Sequence, residues 1–458
     1  MSSGRIDLAE IAIHEPAVAL APLEHYLAQV APHGRTMLLP ALHHAQTLYG
    51  WLPREVQQAI SNALRVPLAD VHGVIEFYTM FYNAPTAHQV VRVCEDPACT
   101  RAGGTAVWQA IEQATGLEHG QTNPQRTLTY ERVTCLGMCE HAPCVTAANN
   151  QRAISPPPKS SAFLAGQMAP PELRVYGEPK LMLGRINRAD PTSLADYKAH
   201  GGYEMLPQAM ALSPDTLIAT VETYNIFGRG GAMFPLGRKW LFTRGAPGDP
   251  FHKHIVLNAD ESEPGTFKDR NIMEGDPFSL IEAMTIAAYA VGAHNGWIFL
   301  RGEYPLAAER LQNAIEQAEQ AGLLGRHILG REGFHFDIEL RLGAGAYICG
   351  EETALFEAIE GKRGFPRIKP PFPTTHGLFG EPTAVNNVET LVAMLAAMRL
   401  GQGEWQKIGT AGSSGTKLFC LSGDVVQPGV YEVPFGLTIR QLIEMGGGVK
   451  MARPSKPS

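Results

Sequence analysis

No complete G-x-G-x-x-G occurs in this 458-residue chain, so the ordinary glycine fingerprint of a dinucleotide-binding fold is excluded as a guide. No apolar run is long enough to cross a bilayer. The most apolar helix-like stretch, Leu280 to His294, is too short and contains Glu282. The opening residues, MSSGRIDLAEIAIHEP, lack the basic region and apolar core of a secretory signal. Positive charge is not in excess: the formal net charge is −7 and the isoelectric point is near 6.2. That balance argues against nucleic acid or an acidic membrane as the main partner. No internal repeat is visible. These absences leave a chain expected to be soluble and cytoplasmic, where thiols stay reduced and free for metal.

What is present suits several packed interiors. The chain is too long for one core, and 45% of its residues are apolar. Residues 1–82 read as a helical region: Leu38, Leu42, Ala45 and Tyr49 follow helical spacing, as do Val56, Ile60 and Leu64. Residues 83–150 read as a small α/β unit, with a strand ending at Cys94, a helix over Ala106–Thr115 and a strand over Leu128–Thr134. A linker is expected at 151–185, from the run Ser155–Ser161 and Pro170-Pro171. Over 186–405, strands at His254–Leu257, Trp297–Leu300 and Phe336–Leu342 alternate with helices, which predicts a mainly parallel sheet. Ser213-Pro214-Asp215 reads as a helix start, with serine as N-cap and proline at the first position. Residues 406–458 read strand, turn, strand, helix, then a tail ending in ARPSKPS.

Four of the seven cysteines form two tight pairs, Cys94-x4-Cys99 and Cys135-x3-Cys139, each where a strand gives way to a loop. Four thiolates are the usual holder of a [2Fe–2S] cluster. Structural zinc and unrelated buried thiols stay open, although zinc pairs usually close on shorter knuckles. Further along, a glycine loop at Gly228–Lys239 and an acidic loop at Asn258–Arg270 stand out. So do GAGAYICGEE at 343–352 and the paired Asn386-Asn387. Glycine backbones cradle phosphate, carboxylates hold ribose hydroxyls, and aromatic faces hold flat rings. Taken singly, these segments equally describe a flexible turn, a solvated acidic loop and a helix cap.

Together they resemble a known family. Residues 20–150, with Cys94-Glu95-Asp96-Pro97-Ala98-Cys99, Cys135-Leu136-Gly137-Met138-Cys139 and Ala142-Pro143, resemble the thioredoxin-like [2Fe–2S] subunit of the NADH-oxidising module of respiratory complex I. Residues 180–450 resemble its FMN-containing NADH-binding subunit, and equally the diaphorase subunit of NAD-reducing hydrogenases. The resemblance implies an α/β chain: an N-terminal helical segment plus a thioredoxin-like [2Fe–2S] domain, then a Rossmann-like FMN/NADH-binding domain, then a partial β-grasp (ubiquitin-like) domain. It implies Cys94, Cys99, Cys135 and Cys139 as cluster ligands, with Cys144 and a surface His141 outside the set. It implies Gly228, Arg229, Gly230, Lys239, Asn258, Asp260, Glu261, Tyr347, Gly350, Glu351, Asn386 and Asn387 around FMN. Phe234, Phe242, Lys369 and Phe372 would meet the nicotinamide nucleotide, with Glu263 and Glu352 as the catalytic candidates. Cys349, inside the glycine motif, is expected to be packing only.

Two departures stand out: Met233 and Leu236 occupy positions where the family usually has glycine and threonine. The family's C-x2-C-x2-C run for a [4Fe–4S] cluster is also missing, and the chain stops just after the helix of the expected β-grasp unit. That ending suggests a shortened gene product, a gene fragment or a protein completed by a partner chain. The implied reaction passes hydride from NADH to FMN and electrons to iron–sulfur clusters, or runs in reverse toward NAD+. The partners would be iron–sulfur subunits of a hydrogenase, a formate dehydrogenase or a complex I-like assembly. The rival readings are a non-catalytic assembly or regulatory subunit and a simple electron carrier.

Overall fold

The computed structural model of the protein describes residues 18–147, 150–153, 172–247 and 252–450. The opening residues, the linker prolines and the final tail named above lie outside the described residues.

Four helices come first: α1 (Ala21–Val30), α2 (Leu38–Tyr49), α3 (Arg54–Leu64) and α4 (Leu68–Phe77). The helical spacing does what it should. Leu38, Leu42 and Ala45 on α2 and Val56 and Ile60 on α3 are fully buried. Tyr49 completes the spacing at the edge, where its hydroxyl donates to the Ala19 carbonyl at 2.9 Å. This core is continuous with Val256, Phe299, Leu355 and Phe356 far along the chain. The helices are therefore packed onto the larger unit.

Strand β1 (Val90–Cys94) leads through α5 (Pro97–Arg101) and α6 (Gly104–Thr115) to β2 (Thr129–Val133), β3 (Cys144–Ala147) and β4 (Asn150–Ala153). The sheet order is β2-β1-β3-β4. β1 and β2 run parallel, and β3 runs antiparallel to β1. Val107 and Ile111 of α6 pack on Val91, Val93 and Tyr130.

The Ser213 hydroxyl caps α7 (Pro214–Thr223) by accepting from the Thr216 amide at 3.2 Å. Helix α8 (Leu236–Gly245) follows the glycine loop. Strands β6 (His254–Ala259), β7 (Asn295–Leu300), β8 (His335–Leu342) and β9 (Thr383–Asn387) form a parallel sheet in the order β9-β6-β7-β8. A parallel sheet needs both faces covered. Helix Pro277–Val291 shows how completely: all 15 of its residues are buried. Its one acid, Glu282, accepts from the Tyr197 hydroxyl and from the amides of Tyr203, Met205 and Leu206.

The last unit pairs β10 (Thr416–Leu421) with β11 (Gly429–Pro434), followed by helix Ile439–Met445. Its third strand is β5 (Val175–Tyr176), parallel to β11 and contributed from inside the stretch expected to be linker. Two residues are too short to show a period, so the pattern carries no sign of this strand.

Candidate functional site

Loops at the carboxyl ends of β6, β8 and β9 and the glycine loop before α8 enclose one cavity of about 690 Å³, within the range of cofactor sites. Its wall brings together residues spread over 163 positions, from Gly228 to Thr390. Gly228, Arg229, Gly230 and Gly350 face it, with Lys239, Asn258, Asp260, Glu261, Glu263, Tyr347, Glu351, Glu352, Lys369, Asn387 and Phe234. Within the glycine loop the backbone requirement falls on Gly231, at φ +111°; a Cβ at Gly230 or Gly350 would meet Asn387 or Asp260 only at an ordinary contact distance of 3.4 Å.

Three expected residues stand apart. Asn386 is buried, and its amide nitrogen donates to the Ala384 carbonyl at 3.3 Å. Successive strand residues point to opposite faces, so when Asn387 faces the cavity Asn386 cannot. Phe242 lies on the outer surface of α8 with its ring centroid 6.2 Å from that of Phe234. Phe372 is exposed just before a short helix at Pro373–His376. The wall also includes residues the motifs did not single out, among them Ser262, Thr266, Lys268, Asp269, Ile348, Val385 and Thr390. Lys268 and Asp269 lie within the acidic segment but outside the set of residues expected around FMN.

The acidic loop places three carboxylates, Asp260, Glu261 and Glu263, within four residues. The structure satisfies much of it internally. Glu261 accepts from the amides of Asp269 and Arg270 at 2.7 and 2.9 Å, at the start of helix α9 (Lys268–Gly275), and from the Tyr304 hydroxyl at 3.2 Å. Burial, and then the nearby Asp269 charge, push the Glu261 carboxyl up to about 7. Burial also lifts Asp260 well above the usual carboxylate range, although the Ser262 hydroxyl donates to it at 2.9 Å. Glu263 accepts from the Tyr347 hydroxyl at 2.6 Å, and Lys369 bridges Glu351 and Glu352 at 2.9 and 2.7 Å. Lys239 donates to the Val385 carbonyl at 2.7 Å, and burial lowers its pKa.

Arg229 touches the cavity but sends its guanidinium elsewhere. It pairs with the fully buried Glu389 at 3.0 Å and lies over the Phe435 ring of the last unit. Glu389 also binds Lys268 at 3.1 Å, Lys417 and the Leu418 amide. Burial alone would raise this carboxyl; Lys268, Lys417 and Arg229 outweigh it and pull the pKa down to about 2.

The four paired cysteines form a nest beside this cavity, all between 1% and 3% exposed. Cys135 and Cys139 are 3.3 Å apart at sulfur, and Cys94 and Cys99 lie within hydrogen-bonding reach. These four cysteines thus stand as two thiol pairs, the donor arrangement a binuclear cluster takes. Among the described residues, no three histidine, cysteine or acidic side chains gather as a mononuclear ion would need. The cluster loop is seated on the flavin unit. Arg301 donates to the Cys135 carbonyl at 2.7 Å, and Arg270 to the Gly137 carbonyl at 2.8 Å. Gly137, at φ +69°, leaves room for Tyr304, whose hydroxyl would lie 2.1 Å from a Cβ there. Tyr304 thus touches both the cluster loop and Glu261 of the cavity wall.

His141 was expected at the surface. Its side chain is 6% exposed, and Nε2 pairs with the Glu172 carbonyl at 2.9 Å. Burial and the charges of Arg174 and Arg270 lower its pKa to about 3. The returning chain at Glu172 covers it, which no local pattern shows. Cys349 is buried near the Tyr78 hydroxyl, as a packing residue would be.

Residues 221–396 match the Nuo51 FMN-binding domain, 23–158 the thioredoxin-like [2Fe–2S] ferredoxin and 418–453 the SLBB domain. The chain is 35% identical over 428 residues to the NAD-reducing hydrogenase HoxS subunit alpha of Cupriavidus necator, across 90% of this chain and 70% of that protein. The chain belongs to this diaphorase-type flavoprotein family. A crystal structure of an NAD+-reducing [NiFe]-hydrogenase in the air-oxidized state superimposes with a TM-score of 0.79 at 32% identity, over 92% of this chain and 71% of that one. An NADH-quinone oxidoreductase subunit of Aquifex aeolicus is 48% identical over 272 residues, 59% of this chain and 63% of that protein. The NADP-reducing hydrogenase subunit HndC of Solidesulfovibrio fructosivorans is 48% identical over 260 residues, 57% of this chain and 52% of that protein. Membership makes this diaphorase-type chain an NADH-linked oxidoreductase module with FMN and [2Fe–2S] domains fused in one polypeptide. Among the described residues, no helix is long and apolar enough to cross a membrane.

Proposed function

We propose that this chain exchanges hydride between NADH and FMN in the 690 Å³ cavity, and electrons between the flavin and a [2Fe–2S] cluster in the cysteine nest. The observation that carries the reading is the convergence of the glycine loop, the acidic loop and Asn387 on that single cavity. Asn258, Asp260, Glu261 and Asn387 would hold and orient FMN by hydrogen bonds, and Lys239 and Lys268 would supply positive charge. FMN, when bound, supplies the exchange between two-electron and one-electron chemistry. Glu261, with its pKa near 7, is placed to hold or release a proton at the cavity wall. Glu263 and Glu352 would contact the nucleotide, steadied by Tyr347 and Lys369. The described cysteines are free thiols, in keeping with a reducing cytoplasm. The partners are iron–sulfur subunits of a hydrogenase, a formate dehydrogenase or a complex I-like assembly; relatives that are hydrogenase and NADH-quinone oxidoreductase subunits support the first and last of these.

The acidic rim predicts a nucleotide preference. Glu263, Glu351 and Glu352 outnumber Lys369 there and disfavour a further phosphate on the ribose. Purified protein supplied with FMN should reduce ferricyanide with NADH, with a kcat/KM at least about tenfold above that for NADPH, roughly 1.4 kcal/mol. Equal values for the two nucleotides would contradict the rim's role. Flavin bound without turnover would favour the assembly-subunit reading.

Met233 gives that second reading its only specific support. It lines the cavity in the left-handed region at φ 51°, with 59% of its surface exposed. Such a conformation costs a non-glycine residue on the order of 1 kcal/mol, and the side chain narrows the nucleotide's approach. Met233→Gly should lower KM for NADH severalfold and leave FMN affinity unchanged. An unaltered KM in steady-state assays would show that the side chain does not obstruct the nucleotide.

A further inference from the structure

The nest holds more sulfur than a [2Fe–2S] cluster needs. Cys144 stands five residues after Cys139, the same spacing as Cys94 to Cys99, and opens strand β3. β3 pairs antiparallel with β1 at Val93–Val145, so one step further along the register places Cys144 across from Cys94. Cys144 is 1% exposed and packs in one cluster with Cys94, Cys99, Leu136 and Met138. Its thiol donates to the Met138 carbonyl at 2.8 Å and lies within hydrogen-bonding reach of the Cys99 thiol. A buried cysteine is often only a small apolar filler. This one is held by its S–H beside the sulfur of an expected ligand, on the wall of the nest.

We propose that Cys144 is a reserve ligand that takes the coordination position of Cys99 when Cys99 is lost or chemically blocked. Four thiolates complete the cluster and the nest offers five. The exchange is redox-neutral. The Cys144 sulfur–iron bond forms as its thiol proton leaves to solvent, and the Cys99–iron bond breaks, with a proton taken up by the departing sulfur if Cys99 is intact. A cluster held this way survives damage to one of its ligands.

The inference rests on the nest holding a [2Fe–2S] cluster, and the test separates the two claims. Full-length protein and the variants Cys99→Ala, Cys144→Ala and Cys99→Ala/Cys144→Ala would be reconstituted anaerobically with iron and sulfide. Iron, acid-labile sulfide and the electron paramagnetic resonance signal of the reduced cluster would then be measured. Each single variant should keep most of the wild-type cluster, while the double variant loses it severalfold. Loss in Cys99→Ala equal to that in the double variant overturns the proposal. A wild-type chain without cluster overturns the underlying reading instead. If Cys99→Ala does not fold, Cys99→Ser retains the side-chain volume, and iron K-edge X-ray absorption decides. All-sulfur coordination supports the reserve ligand, and an iron–oxygen contribution from the serine overturns it.

Discussion

Replacing Glu389 by glutamine should destabilise the flavin-binding unit by about 3–5 kcal/mol and release FMN, the usual scale for breaking a buried ion cluster. Glutamine keeps the shape and still accepts from the Leu418 amide, so the loss is one of charge. Arg229, Lys268 and Lys417 would then face one another, with Asp269 and Glu261 beside Lys268 alone to offset them. The effect reaches two units at once, because Arg229 belongs to the cavity loop and Lys417 to strand β10. Adding Lys417→Met removes one excess cation and should restore part of the loss. Urea midpoints and FMN retained through gel filtration measure both variants. Unchanged values in Glu389→Gln would show that the cluster is not holding the loop.

The sign of the pH dependence follows from the same residue. Its pKa falls from 4.5 unfolded to about 2 folded, a difference of about 3 kcal/mol. A depressed carboxyl contributes stability above its unfolded pKa and loses it as pH falls through its folded one. The gap between wild type and Glu389→Gln should therefore be full above about pH 4.5 and shrink as pH falls toward 2.

Arg270→Met should strip the cluster domain from its seat. Arg270 is 1% exposed, pairs with Glu140 and with Glu274 at 2.7 Å, and holds the Gly137 carbonyl. Without it two buried carboxylates confront each other, a loss of about 3–5 kcal/mol. Glu140 follows the proposed ligand Cys139, so the [2Fe–2S] resonance signal should weaken before the flavin band does. Replacing the whole triad, with Glu140→Gln and Glu274→Gln added, should recover much of the stability, because removing a buried ion set entirely is far less costly than orphaning its members. A single variant with wild-type cluster content and urea midpoint would contradict this seating.

Much of this was legible before any coordinates. The Ser213 cap, the β1 strand ending at Cys94 and the cysteine pairs are local signals, written within a few residues. The glycine and acidic loops were legible because a parallel sheet places its functional loops at strand ends. What escaped depends on distant partners. Arg229 and Glu389 are separated by 160 positions, and nothing beside Glu389 announces a buried hub. Glu261 lines the cavity, but the donors that hold it are the amides that open the next helix, groups every residue carries and no pattern announces. Asn386 was paired with Asn387 by chemistry, while the alternation of the strand separates them. Val175–Tyr176 is a strand only because β11 lies beside it.

The central claim is that one cavity holds FMN where NADH reduces it, with the cysteine nest as the next electron site. Anaerobic titration of the FMN- and cluster-loaded protein with NADH tests it most directly. The flavin absorbance band should bleach stoichiometrically, with electron paramagnetic resonance reporting any electron that reaches the [2Fe–2S] centre. Protein that retains bound FMN yet shows no bleaching with excess NADH would contradict the account.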